Sequence, residues 1–193
     1  MTAQTAGPRI EPLRPPYEPA LAEQLARWMP PGSGIEPLAL FRTLMVHEEL
    51  SSRMRPLGAG ILGSRARVPI GLRELMIDRT CALAGAEYEW GVHVSAFAAA
   101  AGLDEEQALA TATDGSAHDG WEVAQRAVLL LAEELHETST ISEELWAQLE
   151  GLLSGEQIIE LIVTAGWYHV IAYLCNGLRV ELEPWAARFP ARA

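Results

Sequence analysis

Lysine is absent from this sequence, and all fourteen basic residues are arginine. Without a lysine amine there is no Schiff-base chemistry and no lysine general base. Cysteine is scarce as well. Cys81 and Cys175 lie inside apolar helical patterns and at no metal-ligand spacing, so the expectation is two reduced, buried thiols in a cytoplasmic protein. The histidines His47, His93, His118, His136 and His169 show no H-x-x-x-H spacing, and no metal or other cofactor is expected. Positive charge is short too, and a formal net charge of −12 repels a phosphate backbone, which argues against a nucleic-acid partner. No basic start leads into an apolar signal core, and no apolar run reaches membrane-span length without charge or proline. The chain is therefore expected to be soluble, with no membrane partner. The glycines from Gly58 to Gly63 follow no strand and make no phosphate cradle. Neither strand alternation nor a repeat of solenoid period is present.

What is there is a helical pattern in 193 residues of 49% hydrophobic content, enough for one core. Pro8, Pro12, Pro15 and Pro16 make residues 1–17 an extended arm, able to drape over a neighbouring subunit in an oligomer. A helix follows over Glu18–Met29, and the Pro30–Gly34 break separates an N-terminal extension, residues 1–34, from a helical domain, residues 35–193. The pattern then predicts a helix over Leu38–Leu50, a short further helix capped by Ser51, and a helix opening after Pro69. Gly85 breaks that helix, and the next begins near Glu87. Asp104 caps a short helix, Trp121–Glu137 is a long amphipathic one, and Ser142 opens another. Ser154-Gly-Glu-Gln157 reads as a capping box for the last helix. From Ile158 to Leu178 that helix is apolar on nearly all faces, which predicts burial between hairpins or subunits and hence a homo-oligomer.

Ionisable residues concentrate in one apolar stretch, Glu74 to His93. Glu89 and His93 are four apart and share a helix face, where a carboxylate can hold an imidazole and raise its proton affinity. Their neighbours Tyr88, Trp90, Val92, Val94 and Phe97 are mostly apolar, a setting that shifts proton affinities. Antiparallel packing of the two helices brings Glu74 to the depth of His93. Tyr168, His169, Tyr173 and Asn176 on the last helix either line the same cavity or pack with their polar tips satisfied locally.

Glu74, Tyr88-Glu89-Trp90, His93 and Gly102-Leu103 together resemble the carboxymuconolactone decarboxylase family, which includes the AhpD-like alkylhydroperoxidases. The resemblance covers roughly residues 38 to 184. It implies an all-α fold of packed helical hairpins, assembled as trimers or hexamers, with sites lined by Glu74 and His93. The peroxidase branch carries a C-x-x-C pair before the histidine; those positions are Ala86 and Glu89 here, so that redox centre is missing. The implied activity is a cofactor-independent acid–base reaction, a decarboxylation or related lyase or isomerase step on a small cyclic carboxylate or lactone. His93 would protonate carbon, Glu89 would orient and charge the imidazole, and Glu74 would relay protons or hold a substrate hydroxyl. Tyr88, Trp90, Tyr168, His169, Tyr173 and Asn176 are the expected substrate contacts. The alternatives are an alkylhydroperoxidase-type antioxidant enzyme and a non-catalytic helical interaction module.

Overall fold

The computed structural model describes residues 7–30 and 36–191, and among these every regular element is helical. The nine α-helices are α1 (Pro19–Ala26), α2 (Ala39–Leu44), α3 (Glu48–Ile61), α4 (Ile70–Leu83), α5 (Glu87–Ala101), α6 (Glu105–Ala110), α7 (Val123–Thr138), α8 (Glu143–Leu152) and α9 (Gly155–Leu178). The break at residues 31–35, and with it the proposed boundary between extension and domain, lies outside the described residues.

The α4–α5 hairpin is the centre, with α4 packed against α5, α7 and α9 at once. Gly85 makes its turn at φ +63°, a backbone state that costs a residue with a Cβ about 1 kcal/mol or more. Because α4 is enclosed on all sides, Arg73 through Asp78 are six consecutive buried residues. Leu75 and Met76 join the apolar cluster formed with α7, α8 and α9, whereas Ile77 and Cys81 pack with Trp90 and Tyr168. The polar members of the run, Arg73, Glu74 and Asp78, must therefore be satisfied inside the protein or remain uncharged.

Helix ends follow their side chains. Asp104 and Ser154 form capping boxes with Gln107 and Gln157, and Ser142 caps α8 by accepting from the Leu145 amide. Three expectations fail. Ser51 caps nothing: it is buried in α3 and donates to the Leu44 carbonyl at 2.6 Å. The helix expected over Leu38–Leu50 is instead α2, a 3₁₀ turn at Met45–His47 and α3. α3 runs through Pro56 because the carbonyl that proline leaves unpaired belongs to the exposed Ser52. Trp121 precedes α7, buried, with its indole N–H donated to the Gly115 carbonyl at 2.8 Å.

Two non-helical segments hold the ends of the chain. Residues 7–17 of the proline-rich arm reach the end of α9, where Arg9 donates its amide to the Leu178 carbonyl at 2.8 Å and its guanidinium to the Gly177 carbonyl at 2.9 Å, closing the open end of the helix. At the other end, the stretch after α9 straps across α5. Ala187 donates to Ser95 Oγ at 2.8 Å, Phe189 donates to Glu87 at 3.0 Å, and the Phe189 ring covers Trp90. Gly91 permits this approach, since a Cβ there would collide with the Ala187 carbonyl oxygen.

The helix expected to be buried all round has two distinct faces. Ile158, Leu161, Ala165, Tyr168, Ile171 and Ala172 are buried at helical spacing, while Ile159, Ile162, Val163, Val170 and Tyr173 are exposed. Among the described residues α9 alone is long and apolar enough to cross a membrane, and half of the qualifying stretch is buried within the protein, as in a core helix.

Candidate active site

Three helices meet at His93. Glu74 and Asp78 sit one turn apart on α4, Glu89 and His93 one turn apart on α5, and Tyr168 reaches in from α9; all five are buried. His93 Nδ1 lies 2.7 Å from Glu74 Oε2. The other oxygen of Glu74 accepts from Arg73 Nε at 3.0 Å and is ion-paired with Nη2 at the same distance. On the far side of the ring, Nε2 is 3.0 Å from the Tyr168 hydroxyl and 3.5 Å from Glu89 Oε1. Tyr168 stands edge-on to the imidazole, and the half-buried Phe97 leans on it at a centroid distance of 5.1 Å.

Burial alone would strip the proton from His93. The hydrogen bonds to Glu74 and Glu89, followed by their charges, outweigh it and lift the imidazole to about 10. His93 is therefore an imidazolium at neutral pH. Burial, followed by the charges of Glu89 and Glu74, pushes the Tyr168 phenol up, so Tyr168 remains neutral. Asp78 is raised well above the carboxylate range, first by burial and then by Glu74, against a lowering by His93. Neither oxygen of Asp78 has a hydrogen-bond partner, and Glu89 Oε2 is likewise buried and unpartnered. Burial is also the main cause that drives both thiols, Cys81 and Cys175, upward.

The structure brings Glu74, Glu89, His93 and Tyr168 together and rearranges the roles expected of two of them. The short bond to the imidazole comes from Glu74 across the hairpin, and the neighbour one turn away, Glu89, stands at 3.5 Å. With both oxygens engaged, Glu74 has none left for a substrate hydroxyl. The other expected substrate contacts lie elsewhere. Tyr88 points away, donating to Glu183 at 2.7 Å and accepting from the Leu40 amide. Trp90 is fully enclosed, with its N–H donated to Thr111 Oγ1 at 2.9 Å. His169 pairs with His136 at 3.0 Å on the α7–α9 surface. Tyr173 is exposed, and Asn176 caps the end of α4 by donating to the Ala84 carbonyl at 2.9 Å. Sequence reasoning missed Arg73 and Asp78. Their signal was there: charged residues one position before and four positions after Glu74, inside an apolar run.

Glu74, Asp78 and His93 offer ligand atoms within 4.8 Å of one another. The spacing suits a cation, but the donor set does not: Glu74 is held from both sides by Arg73 and His93, which already supply the positive charge.

Residues 48–134 match the model of the carboxymuconolactone decarboxylase family. Crystal structures share the fold over 72% to 98% of the chain. An uncharacterized peroxidase-related protein from Silicibacter sp. TM1040 superposes with a TM-score of 0.80 at 13% identity, covering 98% of this chain and 100% of its own. The debrominase Bmp8, also crystallised as a cysteine-to-alanine variant with 2,3,4-tribromopyrrole, gives 0.74 at 20% identity over 91% and 92%. A protein of unknown function from Agrobacterium tumefaciens, named for AhpD, gives 0.64 at 17% identity over 72% and 94%. No curated protein matches the sequence. This arrangement of helical hairpins is an AhpD-like fold. Over residues 48–134 the chain is similar to the carboxymuconolactone decarboxylase family, and its fold is shared with these crystal structures.

Proposed function

We propose that this protein is a cofactor-independent acid–base enzyme in which His93 carries the proton to carbon, catalysing a decarboxylation or a related lyase or isomerase step on a small cyclic substrate. The observation that carries this reading is the imidazole clamped at 2.7 Å by Glu74 in a water-excluded core and held protonated to about 10. A cation kept there at the cost of desolvation is poised to give up its proton when charge develops on a neighbouring carbon. Glu74 orients and charges the ring, Arg73 fixes Glu74, and Nε2 is the nitrogen that faces substrate. Phe97 is the part-exposed side chain packed against the imidazole.

Within that range, two features favour an isomerase-type step on an uncharged lactone or enone over decarboxylation of a carboxylate. The Arg73 guanidinium is spent on Glu74, so no free cation beside His93 awaits an anion. The charged partners of the imidazole itself are acidic, Glu74 and Glu89. The tribromopyrrole held by Bmp8 supports a substrate the size of one small ring. The peroxidase alternative is disfavoured because both thiols are buried and pushed away from the thiolate form. The exposed apolar face of α9 supports a homo-oligomer, a trimer or hexamer by analogy with the superfamily.

The test is proton exchange into γ-lactones and cyclic enones in heavy water, followed by NMR. Wild type is expected to catalyse exchange, and His93→Gln to lose about 10²- to 10⁴-fold with an unchanged circular dichroism spectrum. A folded His93→Gln protein of undiminished activity overturns the mechanism.

A further inference from the structure

Asp78 is the buried group for which the proton-carrier reading has no use. It is 1% exposed, its oxygen lies within 4.8 Å of the ligand atoms of Glu74 and His93, and neither of its oxygens meets a donor. Every positive group nearby is committed. Arg73 binds Glu74 Oε1, His93 Nδ1 binds Glu74 Oε2, and His93 Nε2 faces Tyr168 and Glu89. The next basic residue, Arg79, turns away to Glu133 on α7 and to the Thr111 carbonyl. The remaining titratable neighbours, Cys81 and Tyr168, are buried and neutral. A carboxylate with no donor and no free counter-charge is not stable in such a place, and the group is held as the acid. A carboxylic acid differs from a carboxylate in one respect that matters here: it carries an O–H to donate.

We infer that Asp78 is a catalytic hydrogen-bond donor, an uncharged carboxylic acid that holds the carbonyl oxygen of an uncharged cyclic ketone, enone or lactone while His93 and Glu89 move protons on its carbons. This rests on the acid–base reading of His93 and names the substrate class for that site. Glu89 Oε2, the other unpartnered oxygen, takes the proton from the carbon next to the carbonyl. The C–H electron pair becomes the carbon–carbon double bond of the enolate, and the carbonyl π pair moves onto oxygen, where the Asp78 O–H stabilises it. His93 Nε2–H then delivers a proton to the nucleophilic carbon of the enolate, and the electrons return from oxygen. The proton left on Glu89 passes to Nε2 across the 3.5 Å contact, restoring both groups. Nothing is oxidised or reduced, and no co-reactant is consumed.

The experiment uses the full-length protein and 2-cyclopentenone labelled with carbon-13 at the carbonyl. Infrared difference spectra between wild type and Asp78→Asn are expected to show a protonated-carboxyl band at neutral pH that moves to lower frequency when the probe is added. The bound carbonyl carbon should shift downfield in wild type, less in Asp78→Asn, which still donates, and not at all in Asp78→Ala. Exchange catalysis should fall by about 10²- to 10³-fold in Asp78→Ala and recover in part in Asp78→Asn. Absence of the protonated band, a band indifferent to saturating probe, or an equal carbonyl shift in Asp78→Ala overturns the proposal. His93→Gln should abolish exchange and leave the carbonyl shift intact, so failure of the proton carrier is read separately from failure of the donor.

Discussion

His93 links the protein's stability to pH with a definite sign. Its proton affinity is raised from 6.5 to about 10 by folding. Because the folded state holds the proton more tightly, this contribution is fully present below the unfolded value and is lost as pH rises through the folded one. Urea midpoints are therefore expected to fall between pH 6.5 and 10 in wild type and to stay level over that range in His93→Gln. Glu74→Gln should pull the upper end of the window down further than Glu89→Gln, since the contacts are 2.7 and 3.5 Å. A flat wild-type curve would remove the imidazolium. At this scale the sequence was half legible. Four-residue spacing placed Glu89 beside His93, and the family resemblance supplied Glu74, but periodicity within one helix gives no distance across a hairpin, where the stronger contact formed. Asp78 was missed because an aspartate one turn after a glutamate and next to Arg79 looks like a solvated helix face. Arg79 in fact leaves for Glu133, and Asp78 stays inside.

Among the elements, the α4–α5 hairpin depends on a segment that has no regular structure. Gly91 lets the C-terminal strap lie on α5, so Gly91→Ala must either lift the strap or distort the helix. Forced overpacking of this kind costs about 1–3 kcal/mol. The expected results are a lower melting temperature and early proteolytic loss of the residues after Glu183; wild-type melting and an uncut tail would show that the strap is not bearing on α5. Helix existence and several caps were readable, because Asp104, Ser142 and Ser154 are short oxygen-bearing residues set before helical runs, and capping is a local event. Where the reading failed, tertiary contacts decided. Trp121 looks helical by apolarity, yet its indole is drawn to the Gly115 carbonyl. Ser51 looks like a cap, yet its hydroxyl serves Leu44. His169, Tyr173 and Asn176 share α9 with Tyr168 but not its inward face, and an almost wholly apolar helix offers no polar pattern from which to choose that face.

For the whole molecule, the outward face of α9 carries Ile159, Val163, Val170 and Tyr173 in exposed positions, an apolar surface that a second copy would cover. Light scattering is expected to report an assembly larger than the 21.0 kDa chain, and Val170→Glu is expected to dissociate it without unfolding the protomer. A stable wild-type monomer at micromolar concentration would refute this. The charge around His93 has a consequence of its own. Glu74 and Glu89 balance Arg73 and the imidazolium, and Asp78 adds nothing while it keeps its proton, so the interior constellation is neutral and the net negative charge of the chain belongs to its outside. From a distance the protein is an anion whose active centre casts no field beyond it. On the proposed reading of the site, this exterior slows the approach of anionic compounds within about a Debye length, roughly 10 Å at moderate salt. If the proposed substrate is an uncharged ring, its association rate should be indifferent to ionic strength, whereas that of an anionic analogue should rise with added salt.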